Sequence, residues 1–415
     1  MKALAGALAA AFLASTAAAQ VPYHPVEASA PGTPVCPGGL CQPEALNEFF
    51  DILSWTETLR GSSSVHIVQI GDSHTAGDRI TGRLRAALQA RFGDGGRGVL
   101  PPGIPYSGYA PLQVEVTASG WTTTLAPLVG NTGYVRAGVG LTGVQAITVQ
   151  PGSTLTIRRD AATPAFFRIE LCGSGPGRLE VAAGDETWTV TFEDGRCVSL
   201  LPERAHGQVE LRALDSTLSL QAMRLTNAPA GVELSNLGVV GATLRDLAAR
   251  DQTVVARELN AWRPALIILA FGTNEGFDDG LDRQAYEALL RGQITRLRRL
   301  APGASLMVLG APDALRNGVT NGCSADGRRA PPPSLAVVRD VQRRVAADMG
   351  VAFWDWHGRM GGDCSADRLA TRGEPLMLRD RVHFNSVGSD WIGGMLHADL
   401  MAAYDAWSAR RGGTE

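Results

Sequence analysis

Three polar side chains far apart in the sequence, Ser73, Asp380 and His383, are of the types that together carry out acyl transfer. Ser73 lies in the sequence GDSH at residues 71–74, and the other two lie in the sequence DRVH at residues 380–383. At this spacing on a helical turn, an aspartate and a histidine share a face, so the aspartate can orient the imidazole that activates a serine. A serine with such a base attacks a carbonyl carbon and forms an acyl-enzyme. The sequence therefore predicts that these three side chains meet in one site.

The elements around these motifs indicate where in a fold they lie. An apolar run at 65–70 precedes GDSH and a helical pattern at 77–92 follows it, which places Ser73 in a strand-to-helix turn. A helix is predicted at 44–60. Later in the chain we predict strands at 232–240, 265–271, 305–309 and 351–354, and helices at 243–262, 282–300, 335–349 and 386–407. This alternation is typical of an α/β fold with a doubly wound, flavodoxin-like parallel sheet, which binds ligands at the carboxyl ends of its strands.

The middle of the chain has a different pattern, with short alternating runs separated by Gly, Pro and Asp. The runs lie at 113–117, 146–149, 154–158, 166–171, 178–181, 187–192, 209–212 and 218–225. They predict an all-β sandwich inserted into the α/β domain after its first strand–helix unit. A glycine-rich segment at 92–98 is interpreted as a tight connection with positive φ angles, because no phosphate-loop Lys-Ser/Thr follows it.

We divide the chain accordingly. The predicted parts are a signal peptide at 1–19, a leader or linker at 20–43, the first part of the α/β domain at 44–110, the inserted β-sandwich at 111–228 and the second part of the α/β domain at 229–410.

The amino terminus predicts export. Lys2 is followed by an apolar stretch at 3–14 and by three alanines at 17–19, as in a secretory signal peptide with its cleavage site. The stretch is too short to span a bilayer, and no later run of about 18 apolar residues follows. We therefore expect a periplasmic protein with no stable membrane insertion after cleavage. The formal net charge of -3 argues against a nucleic-acid partner held by bulk electrostatics.

Six cysteines fit an oxidising, exported location. Neighbours in sequence are Cys36 and Cys41, Cys172 and Cys197, and Cys323 and Cys364. Three local disulfides are the economical prediction, although six cysteines allow 15 connectivities. Neither CxxC nor HExxH occurs, so no zinc site is expected.

Two further segments complete a recognisable set. Residues 236–243 read NLGVVGAT and residues 272–275 read GTNE. With GDSH and DRVH, they resemble the four blocks of the SGNH (GDSL-like) hydrolase superfamily, in that family's order. The resemblance implies that Ser73 is the nucleophile, His383 the general base and Asp380 its orienting partner.

By the same resemblance, an oxyanion hole would be formed by the backbone N–H groups of Ser73 and Gly241 and by the side-chain amide of Asn274. One such donor contributes about 3–4 kcal/mol to transition-state stabilisation. Gly238 is the alternative to Gly241, which we prefer because it directly precedes Ala242, Thr243 and the predicted helix.

The first block departs from the family by reading GDSH instead of GDSL. We interpret His74 as a turn or wall residue, and Asp72 as a residue that either caps the following helix or braces the turn. His66, His206 and His397 are interpreted as structural. Trp121 and Trp188 fit either sugar stacking or the sandwich core, and Trp356 fits either a sugar site or, like Trp354, the hydrophobic core.

The domain order narrows the resemblance further, to bacterial peptidoglycan O-acetylesterases, whose inserted β-domain is similar to a carbohydrate-binding module. This implies hydrolysis of the O-acetyl ester of N-acetylmuramoyl residues through an acetyl-serine, with no metal or organic cofactor. Three alternatives stay open. They are a polysaccharide or peptidoglycan O-acetyltransferase, an esterase acting on another acetylated glycan or on lipid esters, and a non-catalytic glycan-binding protein.

Overall fold

The computed structural model describes residues 36–58, 64–125, 137–148, 150–192 and 196–412. Three predicted features lie wholly or partly outside these residues. They are the signal peptide, the leader as far as residue 35, and residue 149, which is the last residue of one predicted strand. No helix in the described part of the chain is long and apolar enough to cross a membrane.

A mixed sheet forms the centre of the α/β part. Within the described residues its strands are, in spatial order, Leu40–Cys41, Ala352–Trp354, Ser305–Leu309, Leu266–Ala270, Ser64–Gly71, Gly231–Gly238 and Asp94–Gly96. Only the edge strand Leu40–Cys41 is antiparallel to its neighbour; the others pair in parallel. The central strands are buried along almost their whole length, as expected for a parallel sheet covered on both faces.

Helices cover both faces of this sheet. The described α-helices are Asn47–Thr58, Ser73–Ala76, Arg79–Phe92, Leu244–Ala248, Gln252–Trp262, Thr273–Gly276, Arg283–Leu300, Pro333–Asp348, Trp356–Met360, Ser365–Thr371 and Ser386–Gly412, with 3-10 turns at Pro37–Gly39 and Pro43–Leu46. One hydrophobic core holds Phe50, Leu84 and Trp391, and a second core on the other face holds Leu259, Leu290 and Val338. This arrangement confirms the predicted doubly wound fold.

Two antiparallel sheets form the middle of the chain. One consists of Glu186–Val190, Leu179–Ala183, Gln208–Ala213, Thr154–Arg159 and Val114–Ser119. The other consists of Cys197–Leu200, Arg168–Ser174, Ser219–Thr226, Val144–Thr148 and Trp121–Leu125, with Gly98–Leu100 paired to Ser219–Thr226. A separate hydrophobic cluster of side chains from both sheets is buried here. These all-β sheets fit the predicted inserted domain.

Several local predictions differ from the structure. The glycine-rich segment forms two short strands, Asp94–Gly96 and Gly98–Leu100, although Gly93, Gly96 and Gly98 do have positive φ angles. The single helix predicted at 243–262 is divided into two helices, Leu244–Ala248 and Gln252–Trp262. Asp251 is the N-cap of the second helix. Its side chain accepts hydrogen bonds from the N–H groups of Thr253 and Val254.

The described end of the predicted leader is part of the α/β fold. Leu40–Cys41 adds an edge strand to the main sheet, and Cys36 is fully buried. Disulfides join Cys36 to Cys41, Cys172 to Cys197 and Cys323 to Cys364, which is the local pairing that the sequence predicts.

Candidate active site

Three of the four sequence blocks converge because their strands are neighbours in the sheet. Gly71, at the end of its strand, is paired with Gly238 on one side and with Ala270 on the other. Ser73, Gly241 and Asn274 follow these positions within a few residues. They therefore lie past the carboxyl ends of adjacent parallel strands, where open α/β sheets bind ligands.

The turn that carries Ser73 is held by Asp72. The Asp72 side chain accepts a hydrogen bond of 2.9 Å from the His74 N–H and so caps the short helix Ser73–Ala76, whereas the longer helix that follows has Asp78 as its N-cap. The Asp72 N–H donates to the carbonyl of Ala270 over 3.2 Å, which joins the turn to the neighbouring strand. The Ser73 N–H donates to no residue in the described part of the chain, so it remains available to a ligand.

Ser73, His383 and Asp380 form a hydrogen-bonded chain. Ser73 Oγ lies 2.9 Å from His383 Nε2, and His383 Nδ1 lies 2.7 Å from Asp380 Oδ2. A carboxylate can only accept, so His383 carries its proton on Nδ1 and leaves Nε2 to accept the serine proton. This is the geometry of a serine activated by an oriented base.

The backbone around this pair is not the helical turn predicted from the sequence. Residues 381–383 form bends, and Arg381 has a φ of 60°. Asp380 and His383 meet because Asp380 Oδ1 accepts the N–H groups of Val382 at 2.9 Å and His383 at 3.0 Å. The aspartate thus shapes the loop and orients the imidazole at the same time.

These contacts also keep Asp380 ionised. Partial burial raises the pKa of this carboxyl, but the hydrogen bonds from the His383 side chain and from the Val382 and His383 backbone outweigh burial, so the pKa lies below its ordinary value. Asp380 is therefore a carboxylate at neutral pH, as its role beside the imidazole requires.

The loop that carries His383 is fastened at several points. The His383 carbonyl accepts from the Leu378 N–H over 2.7 Å, and the Arg381 carbonyl accepts from the Leu315 N–H over 3.0 Å. The Arg381 side chain forms an ion pair of 3.0 Å with Asp367, whose side chain is almost fully buried. The imidazole is thus held on a braced loop although it is itself 40% exposed.

His74 links the Ser73 turn to the His383 loop. Its Nδ1 lies 3.2 Å from Asp72 Oδ1, and its Nε2 lies 2.9 Å from the Val382 carbonyl. Its ring centroid is 5.3 Å from that of His383. Burial lowers the pKa of His74, but Asp72 and the Val382 carbonyl outweigh burial and raise it above the ordinary value. Because both nitrogens face acceptors, only the protonated ring satisfies both contacts.

Replacing His74 by glutamine is expected to destabilise the fold by about 1–3 kcal/mol, with a defined pH dependence. The raised pKa of His74 means that its stabilisation is complete below about pH 6.5 and is lost as pH rises through the folded-state pKa. Urea unfolding of both proteins from pH 5.5 to 8.5 (roughly the range over which imidazoles titrate) measures this difference.

The matched control is His397→Gln. Burial, together with Arg83 and Arg91, lowers the pKa of His397, so wild-type stability relative to this variant should fall at low pH. A destabilisation by His74→Gln that does not change with pH would contradict a protonated link between the two loops.

The second and third blocks contact each other directly. Asn274 Nδ2 donates to the Ala242 carbonyl over 2.9 Å, which leaves the other amide hydrogen of Asn274 for a ligand. Gly241 has a φ of 76° and its N–H donates to no residue that the structure describes. By contrast, the Gly238 N–H donates to Asn236 Oδ1, and a Cβ at Gly238 would meet the Ala76 nitrogen at 2.1 Å. Gly238 therefore serves close packing, which favours Gly241 as the donor.

Replacing Asn274 by alanine is expected to lower kcat by about 10²–10³-fold while KM changes little, because an oxyanion donor acts mainly in the transition state. Steady-state rates with a chromogenic acetate measure both constants. Asn260→Ala, at an exposed asparagine on the Gln252–Trp262 helix, is the control. A loss in kcat below about threefold would remove Asn274 from the predicted oxyanion hole.

A cleft of about 240 Å³ opens beside the serine. It is lined by Ser73, His74, Gly77, Arg79, Ile80, His383, Phe384 and Ser389. Trp356 is only 3% exposed and belongs to the hydrophobic core, so of its two interpretations the core one applies. Trp121 and Trp188 are half-buried and pack against the core of the β-rich part.

A buried ionic network that was not predicted from the sequence lies near the Ser73 turn. Asp78 forms ion pairs with Arg85 at 3.1 Å and with Arg97 at 2.9 Å, and it also accepts the Leu112 N–H. Burial raises the pKa of Asp78, but the two guanidinium groups outweigh burial and hold the pKa below its ordinary value. The seven-residue spacing of Asp78 and Arg85 within the helix predicted at 77–92 is a signal that would have indicated the pair, although in the structure Asp78 is the residue just before the helix.

One group of side chains has the composition of a metal site. Asp313, His357 and Asp363 bring possible ligand atoms within 4.8 Å of one another. However, His357 Nε2 already contacts Asp363 Oδ1 at 2.8 Å, and Arg339 pairs with the same carboxylate at 3.3 Å. The Arg339 guanidinium already supplies the positive charge beside the Asp363 carboxylate, so we interpret this group of side chains as an ion-pair network.

The chain is similar to a known protein family and to solved structures. The model of the GDSL-like lipase/acylhydrolase family matches residues 207–391, which include Gly241, Asn274, Asp380 and His383 but not Ser73. A solved structure described as "Peptidoglycan O-acetylesterase in action, 5 min" is 26% identical with a TM-score of 0.74, and the match covers 86% of this chain and 96% of that one. No curated protein sequence matches the chain.

Family two carbohydrate esterases are structurally more distant. The enzyme from Cellvibrio japonicus is 14% identical with a TM-score of 0.28, covering 70% of this chain and 99% of that one. The one from Corynascus thermopiles, which has a carbohydrate binding domain, is 12% identical with a TM-score of 0.29, covering 68% and 99%. Neither structure is similar enough to support a conclusion about the function of this chain.

The family match and the likeness to the O-acetylesterase define a carboxylic ester hydrolase. The chain is similar to GDSL-like hydrolases over residues 207–391 and to the solved O-acetylesterase over 86% of its length, which supports the SGNH resemblance of its four sequence blocks.

Proposed function

We propose that this chain is an exported serine esterase that removes O-acetyl groups from the N-acetylmuramoyl residues of peptidoglycan. The observation that carries the proposal is the hydrogen-bonded chain of Ser73, His383 and Asp380, on a fold that is similar over 86% of its length to a peptidoglycan O-acetylesterase. Periplasmic location is part of the proposal, and the predicted signal peptide and three disulfides support it.

The proposed reaction has two halves. In the first, Ser73 Oγ attacks the acetyl carbonyl carbon while His383 Nε2 takes the serine proton, and the sugar oxygen leaves with that proton. In the second, His383 removes a proton from water, the hydroxide attacks the acetyl-serine, and acetate leaves as Ser73 regains its proton. Ser73 N–H, Gly241 N–H and the Asn274 amide would stabilise the oxyanion in both halves. No cofactor takes part.

Hydrolysis is favoured over acetyl transfer by the exposure of the base. Transfer to a sugar hydroxyl requires that water is kept from the acyl-enzyme. The His383 side chain, which must activate water in the second half of the reaction, is 40% exposed beside the cleft, so bulk water reaches this side chain.

The inserted β-sandwich, with proposed bounds 111–228, would bind glycan strands near the cleft, in the manner of a carbohydrate-binding module. Contacts between the insert and the hydrolase domain support a fixed arrangement. Arg224 pairs with Glu233 at 2.9 Å, and Arg257 donates to the Gly173 carbonyl over 2.9 Å.

Acetate release from O-acetylated peptidoglycan, with and without soluble sugar acceptors, tests the proposed function. We expect acetate in both assays, at a similar rate, and no acetylated acceptor. Acetylated acceptor formed at the expense of acetate would identify a transferase. Hydrolysis of nitrophenyl acetate with no release from peptidoglycan would identify an esterase for another substrate.

A further inference from the structure

We propose that Arg79 forms a subsite for a carboxylate group on the acetylated sugar, so that the enzyme prefers anionic O-acetylated saccharides over neutral ones. This inference rests on the proposed glycan esterase function, and it specifies which part of the substrate the cleft recognises beyond the ester itself.

Arg79 lies where such a contact is useful. It is the first residue of the Arg79–Phe92 helix and lines the same cleft as Ser73 and His383. Its side chain is exposed, and in the described part of the chain it makes no hydrogen bond or ion pair. The guanidinium is therefore free to bind a group that enters the cleft.

The neighbouring arginines differ from Arg79 in this respect. Arg85, on the same helix, and Arg97 are almost completely buried and are both paired with Asp78. Those two have a structural role that explains their charge. Arg79 has no such partner among the described residues, so its guanidinium is accessible to a group that enters the cleft.

The cleft also lacks a competing negative charge. None of the residues that line it is an aspartate or a glutamate. The adjacent Asp380 is occupied by the His383 imidazole and by two backbone N–H groups. An arginine in an open cleft without a counter-ion is suited to a carboxylate, which it can bind through two parallel hydrogen bonds.

The chemistry of acetylated sugars indicates which anion fits. An N-acetylmuramoyl unit has a lactyl ether on the same ring as its acetylated hydroxymethyl group, and the lactyl carboxylate is free when no peptide is attached. N-Acetylglucosamine has no such group. At units without a peptide, a subsite for the carboxylate would therefore distinguish the two sugars that alternate in the polymer, while the ester chemistry at Ser73 is the same for both.

Rates of acetate release would be measured with three esters: O-acetylated N-acetylmuramic acid, its neutral lactyl methylamide and nitrophenyl acetate. For the wild type we expect the acid to be preferred over the amide in kcat/KM by about tenfold. Arg79→Gln should lose that preference because its kcat/KM falls for the acid alone. Its rates on the two neutral esters should stay near those of the wild type. High salt should weaken the wild-type preference, because the contact is exposed.

Arg83→Gln is the matched control, since Arg83 is an exposed arginine one turn further along the same helix that does not line the cleft. It should keep the preference. If Arg79→Gln keeps the preference, or slows all three esters equally, the subsite is wrong; the second result would place Arg79 in the reaction itself.

Failure of the proposed function would look different. A wild type that hydrolyses both muramoyl esters at equal rates overturns the subsite and leaves the glycan esterase intact. A wild type that hydrolyses only nitrophenyl acetate overturns the glycan esterase and the subsite with it.

Discussion

Replacing Ser73 by alanine is expected to lower kcat for acetate release by a factor on the order of 10⁶, which leaves only the catalysis due to substrate binding and the oxyanion donors. The side chain that is removed makes one hydrogen bond, to His383 Nε2 at 2.9 Å. Of the hydroxyl groups that line the cleft, that of Ser73 is the one hydrogen-bonded to His383, so no other side chain there is positioned to form the acyl-enzyme in its place. Initial rates with O-acetylated peptidoglycan and with a chromogenic acetate measure the loss.

The Ser73→Ala protein should remain folded, since the turn is held by Asp72 and by backbone hydrogen bonds. Ser389→Ala is the control, because Ser389 also lines the cleft but lies outside the hydrogen-bonded chain. It should keep nearly full activity. Near wild-type rates for a folded Ser73→Ala protein would show that the nucleophile is another group.

Replacing Asp380 by asparagine is expected to lower kcat by a factor on the order of 10⁴, with little change in KM. The asparagine oxygen can still accept the N–H groups of Val382 and His383, so the loop should keep its shape. The amide that faces His383 Nδ1 is neutral. It can stabilise the wrong tautomer and cannot stabilise the imidazolium that forms when Ser73 is deprotonated.

The control for this variant is Asp390→Asn, at an exposed carboxylate near the start of the last helix. It should change neither constant by more than about twofold. A loss of activity at Asp380→Asn that is matched by a large rise in KM would indicate that Asp380 binds substrate instead of orienting the base.

Sequence patterns predict the fold well where they reflect burial. The runs at 65–70 and 265–271 are apolar because these strands are covered on both faces, and this property is visible in the sequence. The polar residues that follow them converge because adjacent parallel strands end at the same edge, so the grouping of Ser73 and Asn274 could be predicted before the structure.

Other features depend on tertiary contacts that leave no local pattern. His74 reaches the Val382 carbonyl across 308 residues of sequence, and nothing around either residue indicates the contact. The strand Leu40–Cys41 has only two residues and exists because it pairs with Ala352–Trp354. The break before Gln252–Trp262 is fixed in part by the Asp251 N–H, which donates to the Val139 carbonyl over 2.9 Å in the β-rich part.

The central claim is that acetyl groups pass through Ser73, and peptide mass spectrometry after rapid acid quenching tests it most directly. The enzyme would be mixed with O-acetylated peptidoglycan, quenched during turnover and digested, with the Ser73→Ala variant treated in parallel. We predict a single acetyl group on Ser73 of the wild type and none on the same peptide of the variant. An acetyl group on another residue, or a variant that is acetylated and releases acetate as fast as the wild type, would contradict the proposed mechanism.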